Sequence, residues 1–390
     1  MSKPLHGIRV LDLSRLLPGP YCTMFFADFG AEVIKVEEPN VGDYSRWEEP
    51  KVETDSAIFS SLNRNKKSVC INLKSQEGKE MFLELVKTSD VLVESFRPGV
   101  MDRLGLGYDT LSELNPKLIY CAITGYGQTG PYAQLPGHDI NYLSYAGLLG
   151  LQGESGQKPA LSATQIADIG GGSLMAAIGI LVAIVNREKN NGKGQFVDIS
   201  MMDGVLSWLQ TVLPNYLADH KRPERGKLTL SGGKACYQVY ETADQRYIAV
   251  GALEHKFWKG FCEGLDRPDL IDDLEAPKDR QEQMKVEISG LMKKRSLDEW
   301  MTIFEDLDTC VTPVLHVDEI EGNPQVKERE MIKSFRVSSG NELKQLGIPI
   351  KLSDTPGDVY ADAPKLGEHN REILEDLGFS VEQINNIGNL

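Results

Sequence analysis

Apolar positions along this chain switch repeatedly between a strand-like and a helix-like spacing. Gly7 to Leu13 (GIRVLDL) is a short apolar run; after Pro18-Gly19-Pro20 the apolar residues of Tyr21 to Phe29 recur at helical spacing and stop at Gly30; Glu32 to Val36 is apolar again. Strand, helix and strand in that order make a βαβ unit, which requires a parallel sheet. The pattern then repeats. Ser68 to Leu73 and Val91 to Glu94 read as strands flanking an amphipathic helix at Gln76 to Lys87. Short helices at Val100 to Leu104 and Leu111 to Leu114 lead to a strand at Leu118 to Ile123. Such alternation predicts an α/β fold, an open parallel sheet with helices on both faces.

Farther on, Asp139 to Leu151 is expected to be one helix. A second starts at Asp168 and runs through Met175 and Leu181 to Asn186. Gln195 to Ser200 is a strand and Met202 to Leu217 is helical. From about Lys221 the chain becomes charged and glycine-punctuated. The paired runs Tyr237 to Glu241 and Tyr247 to Val250, then helical patterns at Lys256 to Gly264, Gln281 to Lys294 and Leu297 to Leu307, predict a smaller α+β domain. The expected division is a large domain over 1–220, completed by 330–390 with a helix at Asn370 to Leu377, and a small domain with its linkers over 221–329.

Composition narrows the partners. The 390 residues are 41% hydrophobic and 25% charged, as in ordinary globular proteins, and carry a formal charge of -15. An acidic chain lacks the basic surface that nucleic acid demands, so no nucleic-acid partner is expected. The six cysteines show no C-x-x-C pair and no histidine at zinc spacing, so no metal site is expected and the thiols read as reduced and mostly buried. No secretory signal is expected from Met-Ser-Lys-Pro-Leu-His-Gly, and the C-terminal Gly-Asn-Leu matches no peroxisomal address; the expected location is cytoplasmic. The most apolar run, Leu174 to Val185, is too short to span a bilayer and reads as a buried helix, so no membrane partner is expected.

Two residues carry the chemistry. His138 lies in Gly-His-Asp-Ile-Asn-Tyr, and Asp168 in Ile-Ala-Asp-Ile-Gly-Gly-Gly, each beside glycine and an apolar segment. Asp168 has an ordinary reading as a helix N-cap, and the glycines after it would let a ligand approach closely. His138 has an ordinary reading as a loop histidine, but a neutral imidazole accepts a proton near neutral pH, and Glu254 is a candidate partner to tune it. Arg64, Lys66, Lys67, Lys74, Arg97 and Arg103 cluster early in the chain; the ordinary reading is a solvated surface face, and the alternative is that basic groups next to strand ends meet a phosphorylated cofactor. Gly125-Tyr-Gly-Gln-Thr-Gly130 fits G-x-G-x-x-G but is followed by Pro131 rather than a helix. It therefore reads as a glycine turn and not as a dinucleotide site.

Taken in order, Leu-Leu-Pro-Gly-Pro-Tyr, Ala-Asp-Phe-Gly-Ala-Glu-Val-Ile-Lys-Val-Glu, Asn-Arg-Asn-Lys-Lys-Ser, Phe-Arg-Pro-Gly-Val-Met-Asp-Arg-Leu-Gly, Gly-Tyr-Gly-Gln-Thr-Gly and Gly-Lys-Gly-Gln resemble the class III CoA-transferase family over nearly the whole chain. The resemblance implies an interlocked homodimer with a Rossmann-like large domain, acyl-CoA as substrate and no prosthetic group. Two chemistries occur in that family. Transferases use an Asp, which falls on Asp168, as nucleophile toward the thioester. Racemases of 2-methylacyl-CoA use a His and an Asp on opposite faces of the α-carbon.

The segment Gly137-His138-Asp139-Ile140-Asn141-Tyr142 resembles the racemase branch. So do Val-Gly-Ala-Leu-Glu at 250–254 and Asp-Thr-Cys-Val-Thr-Pro-Val-Leu at 308–315. By that resemblance His138 and Asp168 are the two bases, Glu254 supports His138, Ile71, Asn72, Leu73, Lys74 and Gly137 to Tyr142 line the CoA-thioester site, and Arg97 meets phosphate. One position departs: Glu38 stands before Pro39 where such racemases often carry Arg, leaving Lys74 or Arg97 to serve the adenosine phosphate. The expected function is a 2-methylacyl-CoA racemase working through an enolate held by the helix-start N–H groups near Asp168. The alternatives are a CoA-transferase and an inactive CoA-binding protein.

Overall fold

The computed structural model describes residues 3–336, 340 and 342–385. By contacts within the chain it separates into two compact units, one of residues 1–146, 162–208 and 325–390, the other of residues 147–161 and 209–324.

The first unit is built on six strands: β1 (Arg9–Asp12), β2 (Glu32–Glu37), β3 (Lys67–Cys70), β4 (Val91–Glu94), β5 (Ile119–Thr124) and β6 (Phe196–Ser200). Every neighbouring pair is parallel, in the order β3-β2-β1-β4-β5-β6. That is the Rossmann order. The connections turn opposite ways beside β1, so the loops leaving β1 and β4 part and open a crevice at the carboxyl edge, where ligands of such sheets bind.

Local chemistry sets the elements. Pro18 supplies a preset φ in the first turn of α1 (Pro18–Asp28), which is buried along most of its length because it packs on the sheet. In α2 (Gln76–Lys87) the Ser75 hydroxyl accepts the Gly78 N–H at 3.1 Å, and Met81, Phe82, Leu85 and Val86 form the buried stripe. These meet Leu11, Ile34, Val69, Leu92 and Tyr120 of the sheet, with Ile373 and Leu374 of the helix Asn370–Asp376 packed on the same core. Each such side chain contributes roughly 2 kcal/mol by leaving water.

The basic run in Asn-Arg-Asn-Lys-Lys serves the fold rather than an anionic ligand. Arg64 pairs with both oxygens of Asp28 (3.1 and 2.7 Å), and Lys67 bridges Glu32 and Glu372. Lys66 is fully buried against Asp12 at 3.0 Å and also donates to the Pro20 carbonyl, Thr23 and Asn63. Burial works to raise the Asp12 pKa, yet the Lys66 and Lys35 ammonium charges hold it well below the carboxylate range; burial lowers Lys66 to about 8. This buried network pins the loop after β1, since Lys35 also donates to the Ser14 carbonyl at 2.9 Å.

Helix α3 (Asp139–Tyr145) is shorter than its apolar pattern predicts. Gly147, at φ +83°, lies in a left-handed conformation that no helix continues through, and only a short 3-10 turn at Leu149–Leu151 follows. The apolar run after Asp168 begins with eight π-helical residues, Ala167–Leu174, and passes into α4 (Met175–Lys189). Together they make a 23-residue run, within which an 18-residue stretch has a mean hydropathy of 2.0, long and apolar enough by those measures to cross a membrane.

That run is also not the fully buried helix its composition predicts. Ala176, Ile180 and Ala183 face inward, whereas Ile178, Leu181, Val182 and Val185 form an exposed stripe, Val182 being 61% accessible. The expected helix over Met202 to Leu217 is broken into α5 (Met201–Ser207), a 3-10 turn at Leu209–Thr211 and a helix at Leu213–Asp219, which has Pro214 in its first turn.

In the second unit Tyr237–Glu241 and Tyr247–Gly251 pair antiparallel. A third strand that the sequence did not signal, Val311–Pro313, adds to the other side of Tyr247–Gly251. Trp258, Phe261, Trp300 and Phe304 of its helices stack over this sheet's core.

Candidate active site

Two cavities follow the carboxyl edge of the six-stranded sheet. The first, about 290 Å³, sits over the ends of β1, β2 and β3, with an apolar wall of Leu13, Val36, Ile71, Leu73, Phe96 and Leu104. At its mouth Glu38 lies between Arg15 and Lys74, each 3.3 Å away. The acid that departs from the racemase pattern is therefore met by two cations. The second cavity, about 350 Å³, sits over the ends of β1, β4 and β5 and is lined by Arg97, Thr124, Gly137, His138, Tyr142 and Asp168 among others. Arg15 and Phe96 line both, which makes the two cavities neighbours along one trough.

His138 and Asp168, 30 positions apart in sequence, thus share a wall. What joins them is Asp139. Its carboxylate accepts the backbone N–H of Ala167 at 2.6 Å and of Asp168 at 3.1 Å, tying the head of α3 to the head of the π-helical segment. The capping duty that the sequence suggests for Asp168 is carried by Asp139. Asp168 itself is the second residue of the helical segment, and among the described residues no hydrogen bond reaches its carboxylate. The same geometry engages the helix-start N–H groups expected to hold an enolate. The N–H groups of Ala167 and Asp168 are already spent on Asp139.

His138 is positioned through its backbone. Its N–H donates to Asn141 Oδ1 at 3.0 Å, and its own carbonyl accepts the Asn141 N–H at 2.8 Å, which fixes the turn into α3. Upstream, the Tyr142 hydroxyl donates to the Gly137 carbonyl. Tyr142 lies so close that a Cβ on Gly125 would stand 2.3 Å from its ring, and one on Gly137 2.7 Å, so both positions require glycine. Burial, then the Asp168 charge, push the Tyr142 phenol up to about 12, so it stays neutral.

The triple glycine after Asp168 admits the protein rather than a ligand. A Cβ on Gly170 would meet the Trp208 ring at 1.8 Å and one on Gly171 the Met201 carbonyl at 2.5 Å. Ser173 closes the far end of the segment by donating to the Pro18 carbonyl at 2.6 Å. A closely packed π-helical platform results, a form that recurs at functional sites.

Burial, aided by the Asp139 charge and opposed by His138, raises the Asp168 carboxyl to about 6. Unfolded, the group returns to its ordinary value, so between these values the folded state holds the extra proton and stability falls as pH rises through that window. Asp168→Asn is therefore expected to melt about 2–4 °C above wild type at pH 8, with the gap closing below about pH 4. Thermal melts across that range check it.

The remaining predicted residues divide. Ile71, Asn72, Leu73 and Lys74 line the first cavity; Arg97, Gly137, His138, Tyr142 and Asp168 the second. Asp139 and Asn141 brace the site instead of lining it. Ile140 and Arg103 are exposed and line neither cavity. Glu254 is exposed at the head of the helix His255–Gly264 in the second unit. Arg15 went unread in the sequence. It closes the loop after β1, donates to the Tyr44 hydroxyl at 2.9 Å and stacks on that ring.

Residues 5–370 match the family described as CoA-transferase family III. Human alpha-methylacyl-CoA racemase is 38% identical over 97% of this chain and 95% of its own length, and human succinyl-CoA:glutarate CoA-transferase is 33% identical over 96% and 86%. The crystal structure of a CAIB/BAIF family protein from Brucella suis superposes with a TM-score of 0.84 at 31% identity, covering 97% of this chain and 100% of that one.

Proposed function

Because the chain belongs to CoA-transferase family III, we propose that it is an acyl-CoA racemase that interconverts the (R) and (S) forms of 2-methylacyl-CoA by moving one proton at the α-carbon. The observation that carries this reading is that His138 and Asp168 line one cavity, with Asp139 bracing one against the other. A transferase needs only the carboxylate. An imidazole beside it supplies a second base.

One of the pair removes the α-proton from one face, and the bond's electrons move onto the thioester oxygen as an enolate. The other returns a proton to the opposite face. A carboxyl near 6 suits both directions, since it exchanges a proton close to neutral pH at little cost. In this reading the apolar first cavity takes the adenine end of CoA, with Lys74, Arg15 and Arg97 meeting phosphate, and the pantetheine arm passes Phe96 to the thioester. Glu254 keeps the role of supporting His138. The exposed stripe Ile178, Leu181, Val182 and Val185 supports an interlocked homodimer, because a single chain leaves that apolar face uncovered.

A second reading has its own support. The unbonded Asp168 carboxylate is free to attack a thioester, leave an aspartyl adduct and pass CoA to another carboxylic acid, and transferases are among the relatives. Incubation with one enantiomer of a 2-methylacyl-CoA and no acceptor acid separates the two. The racemase yields both enantiomers with the thioester intact. An unchanged enantiomer, together with a hydroxylamine-trapped adduct on Asp168, sinks racemisation in favour of transfer.

A further inference from the structure

Thr124 ends β5 and lines the reaction cavity. It is only 6% exposed, and its Oγ1 is buried without a hydrogen-bond partner. The backbone around it is tied to its neighbours. Thr124 sits in register with Ser200 of β6, the Gly125 carbonyl accepts the Met202 N–H at 3.0 Å, and the Tyr142 ring covers Gly125. A buried hydroxyl with no partner costs stability, and valine would fill the same space without that cost. A threonine here calls for a partner that arrives with the ligand.

The enolate needs such a partner, and several of the cavity's donors are committed. The Ala167 and Asp168 N–H groups serve Asp139, the Tyr142 hydroxyl serves Gly137, and the Arg15 guanidinium serves Tyr44 and Glu38. The Thr124 hydroxyl is uncommitted.

We propose that Thr124 is a further catalytic residue, whose hydroxyl donates a hydrogen bond to the thioester oxygen of bound acyl-CoA and holds that oxygen as negative charge builds on it. The inference rests on the racemase reading. No bond to Thr124 forms or breaks: the α-proton passes to one base, the electron pair moves onto the oxygen, and reprotonation at carbon restores the thioester.

Two variants test it, with α-proton exchange of a 2-methylacyl-CoA and thermal melting as readouts. Thr124→Val is expected to lose about 10- to 100-fold in kcat while KM moves less than about 3-fold, the scale of losing one donor to a developing oxyanion. Its Tm should equal or exceed that of wild type, since the unpaired hydroxyl is gone. Thr124→Ser, which keeps the donor, should stay within about 3-fold of wild type. The proposal is overturned by a Val variant that exchanges at the wild-type rate, by a Ser variant as slow as the Val variant, or by a loss that tracks a falling Tm. If wild type exchanges and only Thr124→Val proves neutral, the hydroxyl's role fails alone. A wild type that moves CoA but never exchanges the α-proton removes the racemase reading and this inference with it.

Discussion

Replacing His138 by alanine is expected to lower α-proton exchange by about 1,000-fold while leaving the fold intact, because one of the two proton carriers is gone and a positioned acid–base group is worth about 100- to 10,000-fold. The imidazole is exposed on the cavity wall, and what the structure uses to place this residue is its backbone, bonded to Asn141. Little packing is lost with the ring. The same variant should still form whatever adduct Asp168 makes with a thioester. Asp168→Asn, in contrast, should lose both exchange and adduct. Exchange rates, melting temperature and hydroxylamine trapping on the two proteins give the comparison. A His138→Ala protein that exchanges at the wild-type rate contradicts the two-base reading.

Asp139→Ala should be nearly as damaging by a different route. The carboxylate accepts two backbone N–H groups from a segment 28 residues away, and losing an N-cap of this kind costs about 1–2 kcal/mol. The head of the π-helical segment then has no partner, and Asp168 is freed to drift from His138. A misplacement of about 1 Å costs roughly 100-fold in rate. Removing the Asp139 charge should also let the Asp168 carboxyl titrate lower, since that charge helps hold it near 6. The limb of the pH–rate profile that reports Asp168 should therefore move to more acid pH. Asp139→Asn separates the effects. It keeps an oxygen to accept from the backbone but not the charge, so it should show the pH shift with less loss of rate. A profile whose limb stays put in both variants argues against this coupling.

The sheet could be read from the chain because its signals are local. GIRVLDL, the helical spacing over Tyr21 to Phe29 and the strands at Val91 and Leu118 each declare themselves within a few residues, and the βαβ rule then dictates parallel pairing. What stayed hidden depends on distant partners. Lys66 looks like part of a basic surface run until Asp12, 54 positions away, is found beneath it. Asp168 looks like its own cap because nothing in the local sequence says that Asp139 does that work. The π-helical start of the apolar helix has no periodic signature that separates it from α. Gly170 and Gly171 suggested room for a ligand, yet the indole of Trp208 and the backbone at Met201 claim that room.

Cations were also weighed by their crowding in sequence. Arg15, isolated in an apolar loop, has no such crowding to mark it, although it is the cation that lines both cavities. The apolar run from Leu174 to Val185 was legible as a helix but not as one with an outward-facing stripe, because composition reports how much is apolar and not which side is covered.

The central claim is that an imidazole and a carboxyl group act together on one carbon. Its most direct test follows hydrogen at Cα when each pure enantiomer of a 2-methylacyl-CoA is incubated with the protein in heavy water. The account predicts deuterium at Cα starting from either enantiomer, appearing along with the opposite configuration, with the thioester intact. No deuterium from either enantiomer, while CoA still passes to an added carboxylic acid, would contradict it.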